Sequence, residues 1–289
     1  MARTLSVPPL GVGFGHLDTA LRIPRPVRLL YHYTSQEGLL GIVKSRLLWA
    51  SSIFHLNDSL EFLYTVNLAE ETLRSVIAGQ PRRTFYKRLL GHSERALAFV
   101  EKDIFAVSFS EVPDLLSQWR AYTGGGAGFS IGSETKKLLD RAKEQGFQLV
   151  KCIYDPLVQK RILRKVIHKA RELHLAYNFA GGALQYMSRV AALASLFKHP
   201  SFAEEKEWRI VSDFLRSYPS KWRAGKSMII PYADFRLASA NNPLSISRVY
   251  VGPTPDLGLS SRSVRALLSG PRMSGTRSVY ISGVPYRSW

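Results

Sequence analysis

The segment F-A-E-E-K-E-W-R-I, residues 202–210, concentrates side chains that can hold or move charge. Its second half is apolar enough to form a strand, which would place Glu205, Glu207 and Arg209 on one face. Two carboxylates two residues apart on a strand repel each other unless a cation or a polar ligand lies between them. The pattern therefore indicates a polar site in which Glu207 faces a cleft and makes few core contacts. A solvated run of charges is the alternative.

Other stretches also contain candidate residues. His32, in Y-H-Y-T-S, stands where a strand gives way to a helix, and side chains at strand ends often reach a cleft. A lone histidine there is also compatible with a structural role. The glycine-rich stretch at 124–128 lacks the lysine and the hydroxyl residue of a phosphate-binding loop and precedes a strand, so we interpret it mainly as a turn.

The acidic residues allow a second chemistry. Asp58 and Glu61, together with Glu205 or Glu207, could supply oxygen ligands to a magnesium ion. Such a site would predict a metal-dependent nuclease.

The chain of 289 residues is strongly basic, with 40 Lys and Arg against 22 Asp and Glu and a formal net charge of +18. This charge favours polyanions such as RNA or DNA as partners, without specifying which. A helix over residues 159–174 would present two faces, an apolar stripe and a basic face. The stripe would comprise Ile162, Val166, Ala170 and Leu173, and the basic face Arg161, Lys165, His168 and Lys169. The basic face predicts either a solvated surface or a nucleic-acid-binding one. A binding module without catalysis is thus a third hypothesis.

Several features bear on location. No run of about 18 uncharged apolar residues occurs, which predicts that no membrane is spanned. The first fifteen residues lack the continuous apolar segment of a secretory signal. A single cysteine, Cys152, suits a reducing compartment. We therefore expect a cytoplasmic protein.

The order of elements predicts the fold class. Prolines and glycines predict an irregular lead-in over residues 1–26, and we expect residues 27–289 to form a single domain. Strands are expected near 27–33, 47–52, 103–111 and 207–214, helices over 36–45 and 59–78, and a helical insertion at about 158–200. Strands and helices do not alternate strictly, which favours an α+β fold with a largely antiparallel sheet.

The motifs occur in a recognisable order: Y-H-Y-T-S, then F-A-V-S-F-S-E-V-P-D-L-L-S-Q-W-R-A-Y-T-G-G-G-A-G-F-S-I-G, then E-E-K-E-W-R-I, V-Y-V-G-P and V-Y-I-S-G-V-P-Y-R. In this order the chain resembles the bacterial family DUF2971 over about residues 28–287. That family in turn resembles a distant branch of the ADP-ribosyltransferase superfamily. The resemblance implies an ADP-ribosyltransferase-like split sheet and NAD as a substrate. It also implies transfer to a macromolecule in a defence or toxin setting, with an antitoxin or defence protein as a further partner.

The resemblance also implies roles for particular residues. Glu207 would hydrogen-bond a ribose hydroxyl and stabilise an oxocarbenium-like transition state, as carboxylates do in glycoside cleavage. Glu205 would orient the acceptor, and the choice between the two glutamates stays open. His32 would bind the adenosine ribose. The remaining contacts with NAD would come from the backbone of Tyr33 and Thr34, from Ser108 and Ser110 on the middle strand, and from Trp119 or Tyr122 stacked on nicotinamide. Arg120 or Arg209 would pair with the pyrophosphate or with Glu207 itself.

Overall fold

The computed structural model describes residues 27–55, 60–79, 84–91, 104–123, 127–212, 221–225, 227–238, 246–270 and 278–286. The predicted lead-in, Asp58 and residues 124–126 of the glycine-rich stretch lie outside the described residues.

Ten strands lie within the described residues: β1 (Leu29–Ser35), β2 (Leu47–Ser52), β3 (Phe105–Ser110), β4 (Gly128–Glu134), β5 (Phe147–Lys151), β6 (Glu207–Ser212), β7 (Lys221–Ala224), β8 (Ile229–Arg236), β9 (Arg248–Val251) and β10 (Ser278–Ile281). The helices are α1 (Gln36–Ser45), α2 (Leu60–Ala78), α3 (84–91), α4 (Leu116–Tyr122), α5 (Thr135–Gln145), α6 (Pro156–Ala176), α7 (Phe179–Ala194) and α8 (Leu257–Leu268). Short 3₁₀ helices occupy Ile53–His55 and Pro200–Glu205.

Local signals explain several of these elements. The side chain of Ser35 accepts a hydrogen bond from the Gly38 amide and begins α1, with Glu37 in the first turn. Asp155 caps α6 in the same way, and Pro156 follows at the first helical position, where its missing amide hydrogen is not needed. The helical insertion predicted at about 158–200 corresponds to α6 and α7.

The strands form one sheet in the order β10-β9-β4-β1-β3-β2-β8-β7, and β6 lies between β3 and β5 on a branch. Every pairing of these strands is antiparallel except that of β9 with β10. The predicted α+β class with a mostly antiparallel sheet is confirmed. Strand β3 pairs with β1 at Ser110 and with β2 at Ala106 and Phe105. Because β1 and β2 pair with opposite ends of β3, the sheet divides at this strand.

The two faces of the sheet are covered differently. One face packs against α1, α5 and α8 through a large apolar cluster that includes Phe109, Trp208 and Phe235. The other face is covered over β3, β5 and β6 by α2, α6 and α7, through a second cluster that includes Tyr186 and Phe197. We call this second face the helical face. The candidate site lies on it.

Candidate functional site

The backbone around Lys206 brings two glutamates together. The 3₁₀ helix ends at Glu205, and Lys206 takes a left-handed conformation (φ 43°, ψ 49°) before β6 begins at Glu207. A residue with a side chain adopts this conformation at a cost of about 1–2 kcal/mol. The expectation that Glu205 shares a strand face with Glu207 is therefore wrong, since Glu205 precedes the strand. The turn nevertheless directs both carboxylates to Lys198.

A buried ion network surrounds Glu207. Arg209 donates from Nε to Glu207 Oε1 at 2.7 Å and from Nη2 to Oε2 at 3.0 Å. Lys198 donates to the same Oε2 at 2.8 Å and also contacts Glu205. Glu61, on α2, lies 2.7 Å from Arg209 Nη2 and 3.3 Å from Lys198 Nζ. We call these five residues, Glu61, Lys198, Glu205, Glu207 and Arg209, the charged cluster.

The charged cluster is enclosed. Glu207 is 4% exposed and Arg209 2% exposed, and three carboxylates against two cations give a formal charge of −1. Burial of charge is costly unless every group is paired, and removal of one partner typically costs about 3–5 kcal/mol. The expectation that Glu207 would make few core contacts is therefore wrong. The group predicted to lie between the two glutamates, a cation or a polar ligand, is the protein's own Lys198.

The electrostatics follow from burial and pairing. Burial alone would raise the pKa of Glu207, but Arg209 and Lys198 outweigh it and lower that pKa to about 2. Burial raises the pKa of Glu205, despite the opposing effect of Lys198. The pKa of Lys198 is raised because the charges of Glu207, Glu61 and Glu205 exceed its desolvation. Glu207 is consequently a carboxylate that stays ionised.

Polar groups adjoin the charged cluster on several sides. Burial, and then the charge of Glu207, raise the pKa of Tyr122 at the end of α4. The Glu207 amide donates to the Tyr154 hydroxyl at 2.9 Å. The Ser110 hydroxyl donates to the Glu205 carbonyl oxygen at 2.7 Å. Strand, helix and turn thus meet at one charged position.

The register assigns the predicted site residues to two faces. Ser108 pairs with Arg209 and Ser110 with Glu207, so these residues share the helical face. Tyr31 pairs with Ser110, which puts His32 on the opposite face, where its ring lies 5.7 Å from that of Phe109. His32 Nδ1 donates to the Ser108 carbonyl oxygen at 3.0 Å. Burial lowers the pKa of His32 despite this bond. The structure therefore does not bring the His32 side chain to Glu207.

The aromatic candidates on α4 differ in accessibility. Trp119 is fully buried, contacts the ring of Tyr33 at 4.7 Å and donates to Asp114 at 2.7 Å. Tyr122 is partly exposed, and the charge of Glu207 contributes to its raised pKa. Tyr122 is therefore better placed than Trp119 to stack on a ligand.

The remaining candidates have other partners. Arg120 is exposed and its guanidinium lies 5.2 Å from the Tyr286 ring centroid. Tyr33 and Thr34 pair with Ser130 and Phe129 of β4, so this part of β1 is held by an antiparallel neighbour.

The acids of the nuclease alternative converge only in part. Glu61, Glu205 and Glu207 meet, but they do so around Lys198 and Arg209. Within the described ranges, no group of three or more His, Cys, Asp or Glu residues could hold a metal ion. Asp58 lies outside those ranges.

The basic helix has the predicted faces. Ile162, Val166 and Ala170 are buried and Leu173 is partly buried, while Arg161, Lys165, His168 and Lys169 are exposed. Lys169 pairs with Glu172 at 2.9 Å. No helix in the described part of the chain is long and apolar enough to cross a membrane.

Comparison with known proteins bears on the family. The family model described as protein of unknown function (DUF2971) matches residues 118–210. The predicted resemblance to DUF2971 is confirmed over this segment. The matched segment runs from α4 to β6 and so includes Tyr122, Lys198, Glu205, Glu207 and Arg209. No curated protein matches the chain.

Two members of the charged cluster were not predicted in their observed roles. Lys198 was not a candidate, and Glu61 was one only as a metal ligand. Lys198 follows the apolar run A-A-L-A-S-L-F, and a lysine in such a run is a signal for a buried, paired cation. Glu61 gives no comparable signal, because its contact with Arg209 spans 148 residues of sequence.

Proposed function

We propose that this DUF2971 chain cleaves NAD and transfers ADP-ribose to a macromolecule, with Glu207 as the carboxylate that faces the ribose. The main support is the ionisation of Glu207, which Arg209 and Lys198 maintain at one end of β6. The division of the sheet at β3 supports an ADP-ribosyltransferase-like fold, which remains part of the proposal. The defence or toxin setting rests on the family resemblance alone.

The proposed reaction needs a fixed negative charge. Loss of nicotinamide develops positive charge on the ribose, and a carboxylate aimed at that position in a water-poor site stabilises it. Glu207 meets the charge requirement, since its lowered pKa keeps it ionised at any physiological pH. Its burial provides the low dielectric in which such a charge acts strongly.

The contacts of Glu207 indicate how a ribose would gain access. Arg209 bonds both carboxylate oxygens in a bidentate arrangement, whereas Lys198 bonds only Oε2. Lys198 also contacts Glu205 and Glu61, so it keeps partners when it leaves Glu207. In the proposed complex a ribose hydroxyl replaces Lys198 at Oε2. Tyr122 stacks on the substrate, Glu205 orients the acceptor, and His32 does not contact this ribose.

The test measures nicotinamide released from NAD in the presence of total RNA, DNA or lysate protein, together with the mass gained by each acceptor. We expect Glu207→Gln to lower the rate about 100-fold or more, because the amide cannot supply the negative charge. The matched control is Glu204→Gln, which changes an exposed glutamate of the same segment and should keep the parent rate. Both variants are assayed at a temperature at which circular dichroism shows them folded.

Three results would contradict the proposal. A folded Glu207→Gln variant that retains the parent rate would remove Glu207 from the chemistry. Nucleic-acid shortening that needs magnesium and not NAD would favour the nuclease alternative. Binding of nucleic acid without turnover in the parent would favour a non-catalytic module.

A further inference from the structure

A second part of the helical face is open to solvent. On this face, the side chains of β2, β7 and β8 include two aromatic rings, Trp49 and Tyr232. Trp49 is 54% exposed, although a tryptophan on a sheet face is usually covered. The rings lie 4.9 Å apart between centroids, at an interplanar angle of 36°. We call Trp49, Tyr232 and Arg223 the aromatic platform.

Arg223 is fixed beside these rings. Its guanidinium carbon lies 5.9 Å from the centroid of the Trp49 ring, and its Nη2 donates to the Ser51 hydroxyl at 3.1 Å. Its Nε is buried and has no hydrogen-bond partner among the described residues. The platform is therefore held in place by protein contacts, and it keeps an unused donor.

The charge around the platform is positive. Lys221 and Arg223 on β7 and Arg236 on β8 share its face, and Asp234 is the acid there within the described strands. Lys221 pairs with Asp234 at 2.6 Å, so among the described strand residues of this face no further acid neutralises Arg223 and Arg236. Two uncompensated cations beside exposed rings complement a ligand that combines flat bases with phosphates.

We propose that the aromatic platform binds single-stranded nucleic acid, with a base stacked on Trp49 and the phosphates near Arg223, Arg236 and Lys221. Every base presents a ring face, so a platform of this kind can bind single strands of different sequences. A duplex keeps its bases stacked on each other and cannot offer them to Trp49. The net charge of +18 attracts nucleic acid over long range, and the platform then provides the specific contacts. This proposal is independent of NAD cleavage.

The test measures the fluorescence anisotropy of a labelled twelve-nucleotide oligopyrimidine, as RNA and as DNA, over a range of salt concentrations. We expect Trp49→Ala to weaken binding roughly tenfold, in line with the loss of one stacked base. Tyr232→Leu is a second variant that disturbs the same stack from a different strand. The matched control is Trp222→Ala, because Trp222 is 68% exposed on the same hairpin but pairs with Pro231 and points to the other face.

The outcomes separate the platform from general charge attraction. Weaker binding in Trp49→Ala and Tyr232→Leu, with Trp222→Ala within about twofold of the parent, is the expected result. Equal affinity in Trp49→Ala and Trp222→Ala would overturn the proposal, as would equal binding of duplex and single strand. Loss of binding in Arg161→Gln with Lys165→Gln, but not in Trp49→Ala, would assign the nucleic acid to α6 instead.

Discussion

The helical face of the sheet holds charged side chains in two very different surroundings. Over β3 and β6 it is covered by α2, α6 and α7, and Glu207 and Arg209 are almost fully buried there. Over β2, β7 and β8 it is open, and Trp49 is more than half exposed. The first region contains three acids that share two cations, while the second contains an isolated pair, Lys221 with Asp234.

The contrast shows that burial, more than residue type, decides how much an ion pair contributes to the stability of the fold. A pair at the surface is screened by water and contributes about 0–1 kcal/mol, whereas a buried charge without its partner is strongly destabilising. Removal of one member of the charged cluster should therefore lower the free energy of unfolding substantially. A change of charge in the open region should have little effect on the stability of the fold, which suits a surface that binds and releases ligands.

The largest effect is expected at the centre of the covered region. Arg209→Met keeps a similar side-chain volume but leaves Glu61 and Glu207 without their guanidinium partner. We expect the free energy of unfolding to fall by about 3–5 kcal/mol. Urea denaturation followed by circular dichroism measures this change. A fall of less than about 1 kcal/mol would place Arg209 in the same class as a surface cation.

The smallest effect is expected in the open region. Lys221→Met removes the cation of an exposed pair that lies on the same face, so it is the matched comparison for Arg209→Met. We expect the urea midpoint to stay within experimental error of the parent. A loss comparable to that of Arg209→Met would remove the distinction between the two regions.

The sequence predicted those elements whose signals are local. Helix α1 was predicted over 36–45 and occupies those residues, because the cap at Ser35 and the left-handed Arg46 at its end are encoded within the segment. Helix α5 was missed, since Glu134 provides no side-chain cap and most of the helix surface is charged. Strand β7 was missed because it is short and exposed at the edge of the sheet.

The candidate site was predicted less completely, because its contacts are distant in sequence. The spacing of Glu205 and Glu207 predicted a cation or a polar ligand between them, and Lys198 fills that position. The side of the sheet on which His32 lies depends on the pairing of Tyr31 with Ser110, across 79 residues of chain. Side-chain alternation within one strand cannot supply such a register.

The central claim is that Arg209 and Lys198 keep Glu207 ionised inside the protein, and its carboxyl titration tests this directly. In protein with ¹³C-labelled glutamate δ-carbons, the Glu207 resonance is assigned by its absence in Glu207→Gln and followed as the pH falls. A native pKa lowered from 4.5 to about 2 means that Glu207 stabilises the fold above about pH 4.5, and that this contribution is lost progressively between 4.5 and 2. We expect Glu207 to be ionised at pH 3.5 while the chain is folded. A midpoint at or above 4.5 in the folded protein would contradict it.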